Sequence, residues 1–368
     1  MRSGPRSWLL APIHVAALAT GAKSFRDNPV IGSPSLNRAG LHVARMRLAQ
    51  RMAEGRRERM AALVSADDRA AFDRDGFILK HDFLTAPAFA EVRRQALSFA
   101  GPARQQVQGD AITRRIALDR RALGALPAVR AMVESPQWLG LVRYIGSSML
   151  EPFLYLQTIF AQTCDAPPDP QTRLHADTFH PTVKAWFFLT DVSQDQGPLI
   201  YVPGSHRPTP RRLAWERRIS LTARQSADFQ SSRGSPRIDP AMLRRLGFGE
   251  PKVFAVPRNT LVVADTMGFH ARGISPRPSA RSEIWAYGRR NPFLPWLGLD
   301  VAGLPLVKGR AVPLYWSAMD LYERLRLGRN PWRPTGAATP LSPPDASHGV
   351  IWTWSRQPAL PRTTAQRN

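Results

Sequence analysis

The sequence predicts an α+β fold: short strands closing into a barrel or sandwich, helices packed on it, and a helical N-terminal extension ahead of it. Two observations carry this. Between residues 151 and 289, short runs rich in β-branched and aromatic residues alternate with Pro and Gly turns. Residues 1–64 instead run from an apolar, loop-like start into a stretch of helical periodicity.

The extension opens with Arg2 and Arg6 before the apolar stretch Trp8–Ala19, which imitates a signal peptide only loosely. The stretch is about half the roughly 20 residues needed to span a bilayer. Asn28-Pro29 and Ser33-Pro34 read as loop, and Asn37 is a candidate cap for a helix running towards Val64. Leu41, Ala44, Leu48 and Met52 fall on one face of that helix, surrounded by arginines from Arg38 to Arg59. Basic amphipathic helices of this kind lie on anionic lipid. The same pattern also fits a helix packed on the neighbouring domain with its charges in water.

Residues 65–295 read as the main domain. A helix is expected over 86–100, and strands over 151–161, 183–190, 198–202, 252–256, 259–264 and 282–289. Residues 296–328 form a C-terminal helical segment, with a helix over Tyr315–Leu327. Residues 329–368 are Pro-rich and polar and are expected to be a poorly ordered tail, with Trp352 and Trp354 able to dock.

A formal charge of +23, from 51 Lys and Arg against 28 Asp and Glu, is a field that attracts anionic membranes, nucleic acid or acidic metabolites. The single cysteine, Cys164, excludes a disulfide framework or a thiolate zinc site and fits a cytoplasmic setting. No recognised nucleic-acid motif is present, so no specific nucleic-acid partner is expected.

The chemistry centres on Arg173-Leu-His175-Ala-Asp177-Thr-Phe-His180. In an extended chain, side chains two apart share a face, so His175 and Asp177 can converge on one ion. Alone, such a pair is close to a chance match. His270 follows a hydrophobic strand and sits beside glycines. Two imidazoles and one carboxylate occupy one face of an octahedral Fe(II) and leave positions open for a bidentate 2-oxo acid and O2. Arg281, eleven residues further on, offers a guanidinium fork suited to a carboxylate. Asp265 is an alternative carboxylate, disfavoured by the strand geometry, and His180 and His206 are weaker ligand candidates.

From about Phe72 to Arg290 the chain resembles the phytanoyl-CoA dioxygenase family. The motifs are Phe72-Asp73-Arg74-Asp75-Gly76-Phe77, His175-Ala-Asp177, and the run from Trp186 through Gly197-Pro to the turn Pro203-Gly-Ser-His206. The resemblance implies a double-stranded β-helix, or jelly roll, with helices packed on one sheet. It also implies Fe(II) on His175, Asp177 and His270, and 2-oxoglutarate as co-substrate with its carboxylate on Arg281. Trp186 is expected to line the pocket and Gln157 to contact the co-substrate. Asp265-Thr266 stands where a Gly-Asp turn is commoner in the family, and the basic stretch 207–237 reads as an insertion.

The resulting expectation is an Fe(II)/2-oxoglutarate-dependent dioxygenase that hydroxylates a C–H bond and releases succinate and CO2. The basic segments point to a small-molecule or lipid substrate with an anionic head and to a cytoplasmic enzyme peripheral on an anionic membrane surface. The competing readings are a non-catalytic metal-binding interaction protein of the same fold and a basic nucleic-acid-binding protein.

Overall fold

The structure is a computed structural model that describes residues 11–298, 304 and 307–345. Two antiparallel sheets face each other as a jelly roll. The major sheet has the strand order β1-β8-β5-β10-β4-β3-β2-β11, and the minor sheet runs β7-β6-β9. The strands are β1 Phe77–Lys80, β2 Gly101–Gln108, β3 Ala111–Ala117, β4 Phe153–Ala161, β5 Val183–Phe188, β6 Leu199–Tyr201, β7 Lys252–Phe254, β8 Leu261–Asp265, β9 His270–Arg272, β10 Ser279–Gly288 and β11 Arg333–Ala338.

Period-two alternation divides the residues of the major sheet between two environments. Val183, Ala185 and Phe187 of β5, Leu261 and Val263 of β8, and Ile284 and Ala286 of β10 face one way. They bury the helices Ala86–Ser98 and Pro136–Gly146, whose Val92, Ala96, Trp138, Leu141 and Ile145 complete this core. Ser135 caps the second of these helices by accepting from the Trp138 N–H at 3.2 Å. Trp186, Val262, Trp285 and Tyr155 point the other way, into the space between the sheets. Filling one face with helices leaves the other free to build a site.

Three sequence expectations are corrected here. The helix Leu41–Arg59 does not present its supposed apolar stripe to anything. Leu48 and Ala44 are exposed and Leu41 and Met52 half-buried, while His42, Val43, Met46, Ala49 and Ala53 are buried instead. Arg45, Arg56 and Arg57 lie on the inner side too, and their guanidinium groups cap main-chain carbonyls. Arg56 donates to Ser147, Pro292 and Leu294, and Arg57 to Tyr144 and Ile145. Carbonyl partners make these burials tolerable. Three of the seven arginines of this segment are thus used for packing, while Arg38, Arg47, Arg51 and Arg59 are exposed, as a helix packed on the domain with charges in water requires.

Second, the stretch 207–237 is no loose insertion. Its helix Pro210–Ser220 packs on Leu41–Arg59, with Arg212, Glu216 and His42 in one buried polar chain; His42 lies 3.1 Å from Glu216. Third, part of the expected tail adds an edge strand, as β11 pairs with β2. Arg114 of β3 holds the residues that follow by donating to the carbonyls of Thr339, Ser342 and Pro343. Trp352, Trp354 and the first part of the Trp8–Ala19 stretch lie outside the described residues. No described helix is long and apolar enough to cross a membrane. Ile13 and Val15, in the helix Ala11–Ala16, are exposed.

Candidate active site

His175 and His270 are brought together by backbone pairing. Each donates its N–H to the other's carbonyl at 2.9 Å, so the two residues form a hydrogen-bonded antiparallel pair at the margin of the minor sheet. Side chains directly opposite in such a pair share a face. Their ring centroids are 4.5 Å apart. Asp177, two residues on, is pinned by its N–H to Thr266 O at 2.9 Å, and its Oδ1 lies 3.8 Å from His175 Nε2 and 3.7 Å from His270 Nε2. One donor atom from each residue falls within 4.8 Å of the others.

Main-chain carbonyls fix both tautomers. His175 Nδ1 donates to Arg173 O at 2.8 Å and His270 Nδ1 to Gly268 O at 2.9 Å, which turns each Nε2 lone pair inward. His270 Nε2 is buried with no hydrogen-bond partner among the described residues. A buried acceptor left open beside a carboxylate and a second imidazole is the donor set that a borderline divalent metal completes, so the residues fit Fe(II). Gly268 is required where it stands, because a Cβ there would lie on the Tyr201 hydroxyl, which donates to Asp265 O at 2.7 Å.

Burial, with His270 next to it, lowers the His175 pKa well below the usual histidine value, and burial lowers His270 to about 4. Both rings are therefore neutral and able to coordinate. For Asp177, burial alone would raise the pKa, but Lys184, His270 and His175 outweigh it and hold the carboxyl well below the ordinary range. Lys184 Nζ sits 2.6 Å from Asp177 Oδ2, so one carboxylate oxygen is held by a cation while Oδ1 faces the histidines. This ion pair connects β5 to the site. It carries no sequence motif, and sequence reading placed Lys184 only as a neighbour of Trp186.

The histidines also set an acid limit on the metal-free fold. His180, fully buried with its Nδ1 donating to Pro181 O, is lowered to about 3. A folded pKa depressed below the unfolded value of about 6.5 means that the unfolded chain binds protons first as pH falls. Stability should therefore decrease from about pH 6.5 down towards pH 4, which thermal melts of the metal-free protein across that window would show. A flat melting temperature would contradict it.

The other candidates separate clearly. Arg281 on β10 is buried and lines the same cavity as the three ligand candidates. Its Nη1 donates to Gly197 O, and its Nε lies 3.6 Å from Glu283 Oε2. Gln157 of β4 and Trp186 of β5 also line that cavity. Gln157 is tied at both ends of its amide, accepting from Arg115 Nε at 2.8 Å and donating to Glu283 Oε1 at 2.7 Å. Asp265 is remote in role: it accepts from the N–H groups of Thr182 and Met267 at 3.0 Å and pairs with Arg57 at 3.1 Å. His206 packs its ring on Phe72, 5.1 Å between centroids, outside the ligand group.

Sequence reading missed Lys23 and Arg115. Lys23 comes from the extension, lines the cavity and donates to Asp177 O; burial, followed by the charge of Arg289, lowers its pKa to about 8. The cavity has a volume of about 900 Å³.

Residues 72–241 match the family model described as phytanoyl-CoA dioxygenase. The match ends before His270 and Arg281, which the fold brings to the matched pair. No curated protein matches the chain. Among solved structures it is similar to the epimerase SnoN in complex with Fe3+, alpha ketoglutarate and nogalamycin RO, at 20% identity, with 66% of this chain and 92% of that one covered and a TM-score of 0.41. It is also similar to HygX from Streptomyces hygroscopicus with nickel, 2-oxoglutarate and hygromycin B bound (17% identity, 61% and 87% covered, TM-score 0.38). A third is EctD from S. alaskensis with bound Fe (16%, 61% and 76%, 0.36). These likenesses concern the fold and leave the substrate open. Over residues 72–241 the chain thus matches the phytanoyl-CoA dioxygenase family model, and the convergence of His175, Asp177 and His270 fits the Fe(II)/2-oxoglutarate-dependent oxygenase chemistry that this match implies.

Proposed function

We propose that the enzyme hydroxylates a C–H bond of a compact organic molecule bound in the 900 Å³ cavity, with 2-oxoglutarate converted to succinate and CO2. The observation that carries this is the convergence of His175, Asp177 and His270, with the buried Nε2 of His270 left without a partner. These three residues would hold Fe(II), and Arg281 would take the distal carboxylate of 2-oxoglutarate. When bound, the metal brings O2 and the 2-oxo acid together and generates the oxidant.

The chain's own residues do the rest. Lys184 keeps Asp177 ionised and turned towards the histidines. Arg281 is oriented by Glu283 on one side and Gly197 O on the other. Glu283 is in turn held by Gln157, so that residue supports the co-substrate clamp through Glu283 as well as facing the cavity. Trp186 and its cross-strand neighbour Trp285 close the wall next to the site and exclude water from it.

The cavity lining is mixed, with glutamines and cations among aromatic rings, and this favours a compact polar substrate over an acyl chain. Burial of Arg45, Arg56 and Arg57 favours the packed reading of the helix Leu41–Arg59 over the membrane-facing one. A cytoplasmic setting remains in keeping with the single half-buried thiol.

The direct test is succinate formation from 2-oxoglutarate by the Fe(II)-loaded protein. Absence of both 2-oxoglutarate binding and succinate would refute the assignment and favour a non-catalytic relative. Arg281→Ala should raise the KM for 2-oxoglutarate by about 10- to 100-fold, the worth of a charge-assisted carboxylate contact. An unchanged KM in steady-state succinate assays would move the carboxylate to another cation.

A further inference from the structure

Seven Lys and Arg side chains line the cavity, and Asp177 is the one carboxylate among its lining residues. Of these cations, Lys184 pairs with Asp177, Arg272 pairs with Asp169, and Arg281 lies beside Glu283. A bound Fe(II) dication and a 2-oxoglutarate dianion cancel each other. Loading the site with both therefore leaves the cationic excess in place, and a further anion is needed to balance it.

Arg115 is the best-placed of the remaining cations. On β3 it stands in register with Gln157 and, through β4, with Glu283 on β10, one step along the sheet face from Arg281. Its guanidinium carbon lies 4.0 Å from the Trp285 ring centroid, 4.4 Å from that of Trp332 and 5.0 Å from that of Tyr155. Nε is committed to Gln157, while among the described residues the Nη groups have no hydrogen-bond partner. A guanidinium clamped between rings, with its donor edge unspent, is preorganised for a carboxylate or phosphate. Burial lowers its pKa only to about 10, so it remains charged at neutral pH.

The same wall supplies flat apolar surface. Trp285 and Tyr287 are stacked, 5.7 Å between centroids and 8° between planes, and Tyr155 lies against Trp285 at 5.7 Å. All three line the cavity. Lys23, brought in by the extension, adds a second cation whose only protein partner among the described residues is the Asp177 carbonyl.

We propose that the substrate is an acidic, ring-bearing small molecule whose carboxylate or phosphate is bound by Arg115 while its ring lies on the Tyr155–Trp285–Tyr287 wall. This rests on the oxygenase reading of the site and goes beyond it by naming what the site accepts. Neutral analogues lose the anion contact and keep only the ring surface.

The test is calorimetric binding to the Fe(II)-loaded protein saturated with 2-oxoglutarate under nitrogen, so that Arg281 is occupied and no turnover occurs. Two matched pairs separate the anion types: indole-3-acetate against indole-3-acetamide, and glucose 6-phosphate against glucose. In at least one pair the acidic member should bind about tenfold or more tightly than the neutral one. Arg115→Gln should remove most of that preference, and Arg115→Lys, which keeps the charge, should retain more of it. Arg115→Lys keeps a cation on β3, so the comparison remains informative even if Arg115→Gln perturbs the strand. Equal affinities within both pairs, no measurable binding by any of the four, or a preference that survives Arg115→Gln would overturn the proposal. Succinate formation, measured separately, tells the two failures apart: if it persists, the substrate class alone is wrong; if it is absent, the oxygenase reading fails as well.

Discussion

Asp177→Ala should bind Fe(II) at least about 100-fold more weakly than the parent chain, and its succinate formation should fall to background. The size follows from the geometry. Even partners one step removed from a metal cost 10- to 100-fold when lost, and Asp177 Oδ1 faces both histidines directly. Its removal also leaves Lys184 next to two imidazoles with no carboxylate between, so the site changes from a cation receptor to a cation repeller. Folding should be little affected, since Asp177 is partly exposed and Lys184 can turn to water. Metal titration and melting curves on the same preparation separate these effects. Succinate yields like those of the parent chain would show that another carboxylate completes the site.

The second large effect is expected at a residue outside the ligand-candidate set. Asp265→Ala removes the partner of buried Arg57 and three hydrogen-bonding roles at the end of β8, at Thr182, Met267 and Arg57 itself. Breaking a buried ion pair from one side costs about 3–5 kcal/mol, because the remaining charge stays buried. A fall in melting temperature on the order of 10 °C is expected, with loss of the metal site following from displacement of Thr266, whose carbonyl pins Asp177. Denaturant unfolding measures it. A loss below about 1 kcal/mol would show that the Arg57 contacts to Tyr144 and Ile145 suffice without Asp265.

Much of this site was legible in the sequence because its geometry is local or strand-like. The pair His175 and Asp177 needs only alternation in an extended chain, and His270 follows a run, Leu261–Ala264, that could be little other than a buried strand. The strands β4, β5, β8 and β10 announce themselves by β-branched and aromatic residues for the same reason. The hairpin β2–β3 did not, because its buried positions include Gln105 and Arg114, cross-strand neighbours on one face that read as solvent-facing. Those side chains are buried only because carbonyls of Thr339, Ser342 and Pro343, more than two hundred residues away, receive Arg114. The helix Leu41–Arg59 misled in the opposite direction. Arg56 reads as part of a solvated or lipid-facing stripe, yet it is buried with the carbonyls of Ser147, Pro292 and Leu294 as its partners. Contacts between distant segments are what a pattern of residue types cannot display.

Lys23 reaches the cavity from a loop that shares no strand with any metal ligand candidate and lies well ahead of the family-matched stretch. Metal chemistry and part of the cavity wall are thus written on separable lengths of chain. Diversifying residues 21–23 would therefore alter the cavity wall and, through the Lys23 bond to the Asp177 carbonyl, bear on the ligand loop as well.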